Sequence, residues 1–415
     1  MDDTSLPLPS SCDVLVIGAG PAGAACAQLL AAAGRQVLLV DQQNFPRDKV
    51  CGDGLIPDSH AALRRLGVYD EVASLAQSVS HVRCVGPRGG VVDVPGSLSV
   101  LPRKVLDHIL VRAAQRAGAQ LLTPLRFEAP LLDGERVVGA RFKHAGAAHE
   151  ITARWVVLAT GAVPQGLVAA GLCDRHTPSG VALRGYVKND ALLPQIRQLQ
   201  IVWHQRLKGG YGWIFPAPGG LFNIGVGLTG SHITHRSVLG QSPAKGLMQD
   251  LNLRGMFDAF CELHAPARDL MAGGTLQGQI KGAPLRCSLL GARLSRPGLL
   301  ATGEAIGSTY SFTGEGIGKA METGMLAAKA LLAHAQVPDA EVQLAYAATI
   351  TQLKPRFNMY ETASRVNHRP WIADLVVWRA RRSPRILQRM SGMLEETQNP
   401  GSLFSWRGVR KLMFE

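Results

Sequence analysis

The chain has 415 residues, a formal charge of +13, and 46% hydrophobic against 18% charged residues. That balance excludes a disordered chain and leaves room for one large or two to three ordinary domains. The basic excess favours anionic partners, or else reflects dispersed arginines with no partner meaning.

The first eleven residues are polar and acidic, with no basic or apolar leader segment, and no apolar run reaches the roughly 18 residues that span a bilayer. A cytoplasmic protein is expected. Val14 to Ile17 reads as a buried strand, alanine-rich Pro21 to Ala33 as a helix that Gly34 stops, and Val37 to Val40 as a second buried strand. This β-α-β order implies a parallel sheet.

Helices are expected over Ser59 to Leu66 and Arg103 to Ala117, closed by Gly67 and Gly118. Short alternating runs from Gln120 to Val157 read as strands, and Trp155 to Ala162 as a third buried strand ending in glycine. From about Val181 to Leu285 the texture is sheet-like, with runs at VALRGYV, QIVWH, YGWIFPA and LFNIGVGL and one helical stretch from about Pro243 to Leu263. GLLATGEAIG returns to strand-then-glycine, a long helix follows, and the chain from Asp339 reads as helical.

Gly18-Ala19-Gly20-Pro21-Ala22-Gly23 fits G-x-G-x-x-G between a strand and a helix, and Asp41 ends the next strand. Each part has a task in holding a dinucleotide. Gly18 permits the tight turn, Gly20 admits the pyrophosphate to the backbone, and Gly23 allows close helix–strand packing. The helix N-terminus faces the phosphates, and Asp41 can accept from ribose hydroxyls. A second glycine-rich helix start, Gly314 to Gly318, suits the far end of an extended dinucleotide and so favours FAD over NAD.

The seven cysteines are odd in number and none is spaced C-x-x-C, which argues against a disulfide framework and a structural zinc site. The histidines show no H-E-x-x-H, and no G-x-S-x-G occurs. No metal site is expected, and the hard chemistry falls to the flavin.

With these pieces in order, residues 12 to 330 resemble the geranylgeranyl reductase family of FAD-dependent oxidoreductases, within the wider set of aromatic-ring hydroxylase-like flavoproteins. The carriers are VIGAGPAGAACAQLLAAAGRQVLLVD, FPRDKVCGDGL, LPRKVLDHILVRAAQRAGA, YGWIFP and GEAIGSTYSFTGEGIGKAMETG. The resemblance implies an α/β fold: a Rossmann-type FAD-binding domain over 1–175 and 286–335 (including strand-rich 120–153), an inserted β-sheet-rich substrate domain over 176–285, and a helical basic region over 336–415.

It also implies site residues. Gly18, Gly20, Ala22, Gly23, Asp41, Arg103, Phe127, Glu304, Gly314, Gly316 and Ile317 would hold the cofactor. Arg103 is otherwise a surface helix arginine, and Glu304 stands where the family usually has aspartate. Tyr211, Trp213 and Phe215 would line an apolar substrate cavity, or else pack in a sheet core; alternation puts them on one face. Cys51 and Asp53, in Cys51-Gly52-Asp53-Gly54, fall in the loop that passes the flavin. Cys51 is a polarisable wall, a proton donor or plain packing; Asp53 binds substrate, relays a proton or caps the following turn.

ATGA at Ala159 to Ala162 replaces the D-G motif of the aromatic hydroxylases, and the halogenase W-x-W-x-I-P motif is missing. No second complete dinucleotide fingerprint occurs, so electrons are expected from transiently bound NAD(P)H or an external redox protein. The implied activity is reduction of a carbon–carbon double bond in an apolar or aromatic small molecule; the alternative is a monooxygenase (hydroxylase) working through a flavin hydroperoxide. Basic stretches with Trp371, Trp378 and Trp406 after Lys354 are either a solvated helical cap with its tryptophans packed inward or a peripheral membrane contact. No recognition motif accompanies the charge, so no nucleic acid is expected.

Overall fold

The computed structural model describes residues 9–229, 252–334, 336–400, 408 and 410. Strand β1 (Ser11–Ile17) is apolar and buried on both faces from Val14 to Ile17, and β2 (Val37–Val40) is buried throughout. Between them α1 (Pro21–Ala32) begins with proline in its first turn and ends before Gly34, whose φ of 79° suits a residue without Cβ.

The chain then leaves this layer. It forms β3 (Gly54–Leu55), α2 (Pro57–Arg65), α3 (Tyr69–Leu75), β4 (Gln77–Val85) and β5 (Val91–Val100). It returns through α4 (Arg103–Arg116) to β6 (Gln120–Leu122), then β7 (Arg126–Asp133), β8 (Arg136–His144) and β9 (Ala147–Leu158). After α5 (Pro164–Ala169) come β10 (Gly180–Lys188), β11 (Leu199–Val202), β12 (Gly210–Ala217) and β13 (Leu221–Thr229). Next are α6 (Leu253–Leu263), α7 (Ala265–Gly273), β14 (Thr275–Leu285), β15 (Ser295–Arg296) and β16 (Leu299–Ala301). The helices α8 (Ile317–Ala333), α9 (Asp339–Ala363), α10 (Arg365–His368), α11 (Trp371–Ala380) and α12 (Pro384–Leu394) follow.

Two sheets result. The first runs β15-β16-β9-β1-β2-β6, parallel from β16 to β6, with the β7–β8 hairpin joined to β9. The second runs β14-β10-β13-β12-β11-β4-β5-β3. This differs from the expected division of the chain: β3, β4 and β5 come from the stretch read as part of the FAD-binding domain, yet they extend the second sheet. None of the three is among the strands expected from the sequence; the β11–β4 pairing, parallel from Leu199↔Val82, ties them to this sheet.

The apolar cores follow from this layering. One continuous core joins the parallel sheet, α1, α4, α8 and α9 to one face of the second sheet under α11 and α12. A smaller core covers the opposite face under α6 and α7. Of the helix expected over Pro243 to Leu263, only α6 lies within the described residues; α7 was not foreseen. All seven cysteines are free. Among the described residues no helix is long and apolar enough to cross a membrane.

The C-terminal helices correct one expectation. Trp371 and Trp378 are 42% and 45% exposed, so they do not pack inward as a solvated cap would have them. The apolar duty of α11 is met by Ile372, Ala373, Val376 and Val377 instead. Trp406 lies outside the described residues.

Candidate active site

A cavity of about 1050 Å³ runs between the two sheets. One end is built at the first βα turn. Gly18 has φ 102°, and a Cβ there would strike the carbonyl of Ala159. A Cβ on Gly23 would run into the carbonyl oxygen of Gly18, so the α1 start lies against the turn. Gly23 does not line the cavity; its part is this packing. No side chain caps the N-terminus of α1. Asp41 closes the end of β2, its carboxylate accepting from the N–H of Ala19 at 2.9 Å and of Gln43 at 3.0 Å.

The second helix start is brought to the same space because α8 packs on α1. A Cβ on Gly324 would meet the backbone of Ala22, and one on Gly303 its side chain. Gly316 precedes α8 without a side-chain cap, Gly314 has φ 69°, and Ile317 is buried. Glu304 lines the cavity and accepts from Thr309 Oγ1 at 3.4 Å. Phe127 lines it too, edge-on to Phe142 at 6.2 Å. Arg103 is buried, not a surface arginine: it is held bidentately by Asp107 at 2.6 and 2.8 Å, and Arg47 shares that carboxylate at 3.1 Å. Burial opposes the charge of Arg103, but Asp107 offsets this and holds its pKa above the ordinary range.

These residues fit a dinucleotide. Two uncapped helix N-termini face one cavity, the turn has no room for a Cβ at Gly18 or Gly23, and the hydroxyl of Thr160 is buried at the wall without a hydrogen-bond partner among the described residues. Gly23→Ala is expected to lower FAD retention at least about tenfold, read from flavin absorbance per chain; full retention would show that the turn tolerates the clash.

The other end of the cavity is apolar. Tyr211, Trp213 and Phe215 stand in a row on β12 with centroids 6.3 Å apart, and Trp203 continues the row towards Phe312. Their polar atoms are spoken for: Tyr211 donates to the Thr313 carbonyl at 2.5 Å, and Trp213 to Asn223 at 2.9 Å. Beyond them Val82, Cys84, Val94, Leu199 and Ile201 from the sheet face Met390, Met393 and Leu394 of α12.

The loop from Cys51 to Gly54 passes between these ends. A Cβ on Gly52 would reach the Phe215 ring at 3.1 Å, so glycine lets the loop lie on the aromatic row. Burial raises the pKa of the Cys51 thiol, against the pull of Arg103 beside it, and keeps the sulfur protonated at neutral pH. Asp53 is fully buried, with φ 65°, a conformation that aspartate tolerates better than most residues. It accepts from Tyr186 Oη at 2.5 Å and Asn223 Nδ2 at 2.7 Å, and more weakly from the N–H of Arg103 at 3.4 Å. It therefore meets the start of α4 and not the turn after its own. Burial pushes its carboxyl up to about 6, despite Tyr186, Arg184, Asn223 and Arg103.

Arg184, Tyr186 and Asn223 were not foreseen. Tyr186 and Asn223 are cross-strand partners, and Arg184 is 1% exposed, bonding Asp48 and the Lys49 carbonyl at 2.8 Å each. One signal was there: polar Arg184, Tyr186 and Lys188 occupy alternate positions of a strand whose other residues are apolar. The walls from α12 had a signal as well, since Met390 and Met393 are spaced three apart on one helix.

Comparison with known proteins agrees with this architecture. Residues 11–204 match the FAD binding domain family. The chain is 34% identical over 337 residues to a menaquinone reductase of Mycobacterium tuberculosis, covering 77% of this chain and 76% of that one. It is 30% identical over 318 residues to digeranylgeranylglycerophospholipid reductase 1 of Methanopyrus kandleri, covering 76% and 79%. Among solved structures, a geranylgeranyl bacteriochlorophyll reductase-like protein of Thermoplasma acidophilum superposes with a TM-score of 0.70 at 22% identity, over 98% of this chain and 96% of that one. The paired helix starts, the loop of Cys51 and these relatives lead to one assignment: the chain belongs to the geranylgeranyl reductase family of FAD-dependent oxidoreductases.

Proposed function

We propose that the protein reduces a carbon–carbon double bond in an apolar, chain-like substrate. The observation that carries this reading is the continuous apolar wall from the Tyr211 row to Leu394, meeting the loop of Cys51 and the start of α8. The two reductase relatives, one named for menaquinone and one for a geranylgeranyl lipid, point to substrates of that kind.

Gly18, Gly20, Ala22 and Asp41 would hold the adenosine and pyrophosphate half of FAD, with Gly23 packing the turn beneath it. Arg103, Phe127, Glu304, Gly314, Gly316 and Ile317 would hold the remainder. When bound and reduced, FAD supplies a hydride. Tyr211, Trp213 and Phe215 orient the alkene and exclude water. The protonated Cys51 sulfur holds a proton at the edge of the cavity, and Asp53 with Tyr186 forms the buried polar pair behind it. The start of α8 stabilises negative charge through its free N–H groups. Electrons reach the site from NAD(P)H bound transiently or from an external redox protein.

The test is turnover of a polyprenyl substrate with chemically reduced enzyme, with and without oxygen. Saturated product formed anaerobically is expected. Hydroxylated product or substrate-dependent peroxide, formed only with oxygen, would replace this reading with the monooxygenase one.

A further inference from the structure

The outer face of α11 carries two exposed tryptophans among arginines. Trp371 and Trp378 lie seven residues apart, two helical turns on one face, and both are exposed. Leu375, half-buried, stands between them. The guanidinium groups of Arg379 and Arg382 lie 5.6 and 4.8 Å from the centroid of the Trp378 ring. From Arg369 to Arg389 the chain carries six arginines and a single acid, Asp374. That acid is engaged, accepting from the backbone N–H of Arg88 at 2.9 Å. Arg381, Arg382 and Arg385 are exposed.

We propose that this face docks on an anionic lipid surface. Tryptophan pairs an apolar body with a polar N–H and suits the depth of lipid headgroups. The arginine rim supplies the charge that complements acidic headgroups, each such residue adding roughly 1 kcal/mol near the surface. Apolar aromatics ringed by like charge are a poor surface for a second copy of the same chain, because the arginines would face each other. The position adds a use: α11 leads directly into α12, whose inner residues Met390, Met393 and Leu394 wall the apolar end of the cavity. The docked face and the apolar cavity end are thus two sides of one helical layer. This inference concerns binding alone and stands whether or not the reductase reading holds.

The experiment is co-sedimentation of the FAD-loaded protein with vesicles of phosphatidylcholine alone or mixed equally with phosphatidylglycerol. Binding is expected only to the mixed vesicles, falling as salt rises. R381E/R382E is expected to weaken it at least about tenfold, through loss of two attractive charges and gain of two repulsive ones. W371S/W378S is expected to weaken it too and to abolish quenching of tryptophan emission by brominated lipid. Flavin content of each variant checks that it is folded. No binding to the mixed vesicles at low salt would overturn the proposal, as would binding that neither pair of substitutions lowers. A lower solution mass in W371S/W378S would also overturn it, assigning the face to a second copy.

Discussion

Lys319→Met is expected to destabilise the protein by roughly 3–5 kcal/mol, the cost of stranding buried charges when one partner of a buried pair is removed. The Lys319 side chain is 3% exposed and lies 2.9 Å from Glu396, 3.0 Å from Glu322 and 3.3 Å from Asp58. Burial works against its charge, but these three carboxylates more than offset it and hold its pKa above the ordinary lysine range. Arg356 reaches Glu396 at 2.9 Å and Glu322 at 3.8 Å but is partly exposed. Glu315, beside Asp58, is pushed well above the usual carboxylate range by burial and by that neighbour, so it favours its neutral, protonated form and adds little charge to the cluster. The knot ties three parts of the chain: α2 through Asp58, α8 through Lys319, and the turn after α12 through Glu396. Denaturant unfolding at fixed FAD would measure the loss. A change below about 1 kcal/mol would mean that the lysine behaves like an exposed ion-pair partner.

Asp53→Asn is expected to lower turnover by about 10²–10⁴-fold while FAD stays bound, the usual contribution of a positioned proton-transfer group. It is also expected to change how stability depends on pH. Asp53 is raised from 3.8 to about 6, so the folded protein binds its proton more readily than the unfolded chain. Between those values the folded state holds more protons, and stability therefore falls as pH rises. Two pH units correspond to about 3 kcal/mol, fully present at low pH and lost above about 6. Asparagine removes this slope, because its amide does not titrate. Urea unfolding at several pH values, beside the pH profile of kcat, reads both effects. An unchanged rate with a flattened stability profile would reduce Asp53 to a structural group that shapes the loop.

The two effects differ in what sequence patterns could convey. The glycine turn was legible because each residue acts on its nearest neighbours: the φ of Gly18, the α1 start and the end of β2 all lie within about twenty-five residues. The aromatic row was legible because strand alternation has a period of two, which puts Tyr211, Trp213 and Phe215 on one side whatever the sheet around them. The partners of Asp53 were not, because Tyr186 and Asn223 come 133 and 170 residues later.

The amino-acid sequence by itself determined the cofactor turn, the second helix start, the strand that lines the cavity and the family to which the chain belongs. These rest on local periodicity and on backbone conformations that few residues can adopt. Only the tertiary structure decided that β3 to β5 extend the second sheet, that Arg103 is buried against Asp107, that α12 closes the apolar end of the cavity, and that Trp371 and Trp378 face outward. Each depends on which surfaces meet across long separations. A strand's pattern states that one face is buried, but not against what; a helix's charge states that one side is wet, but not whether its tryptophans share it.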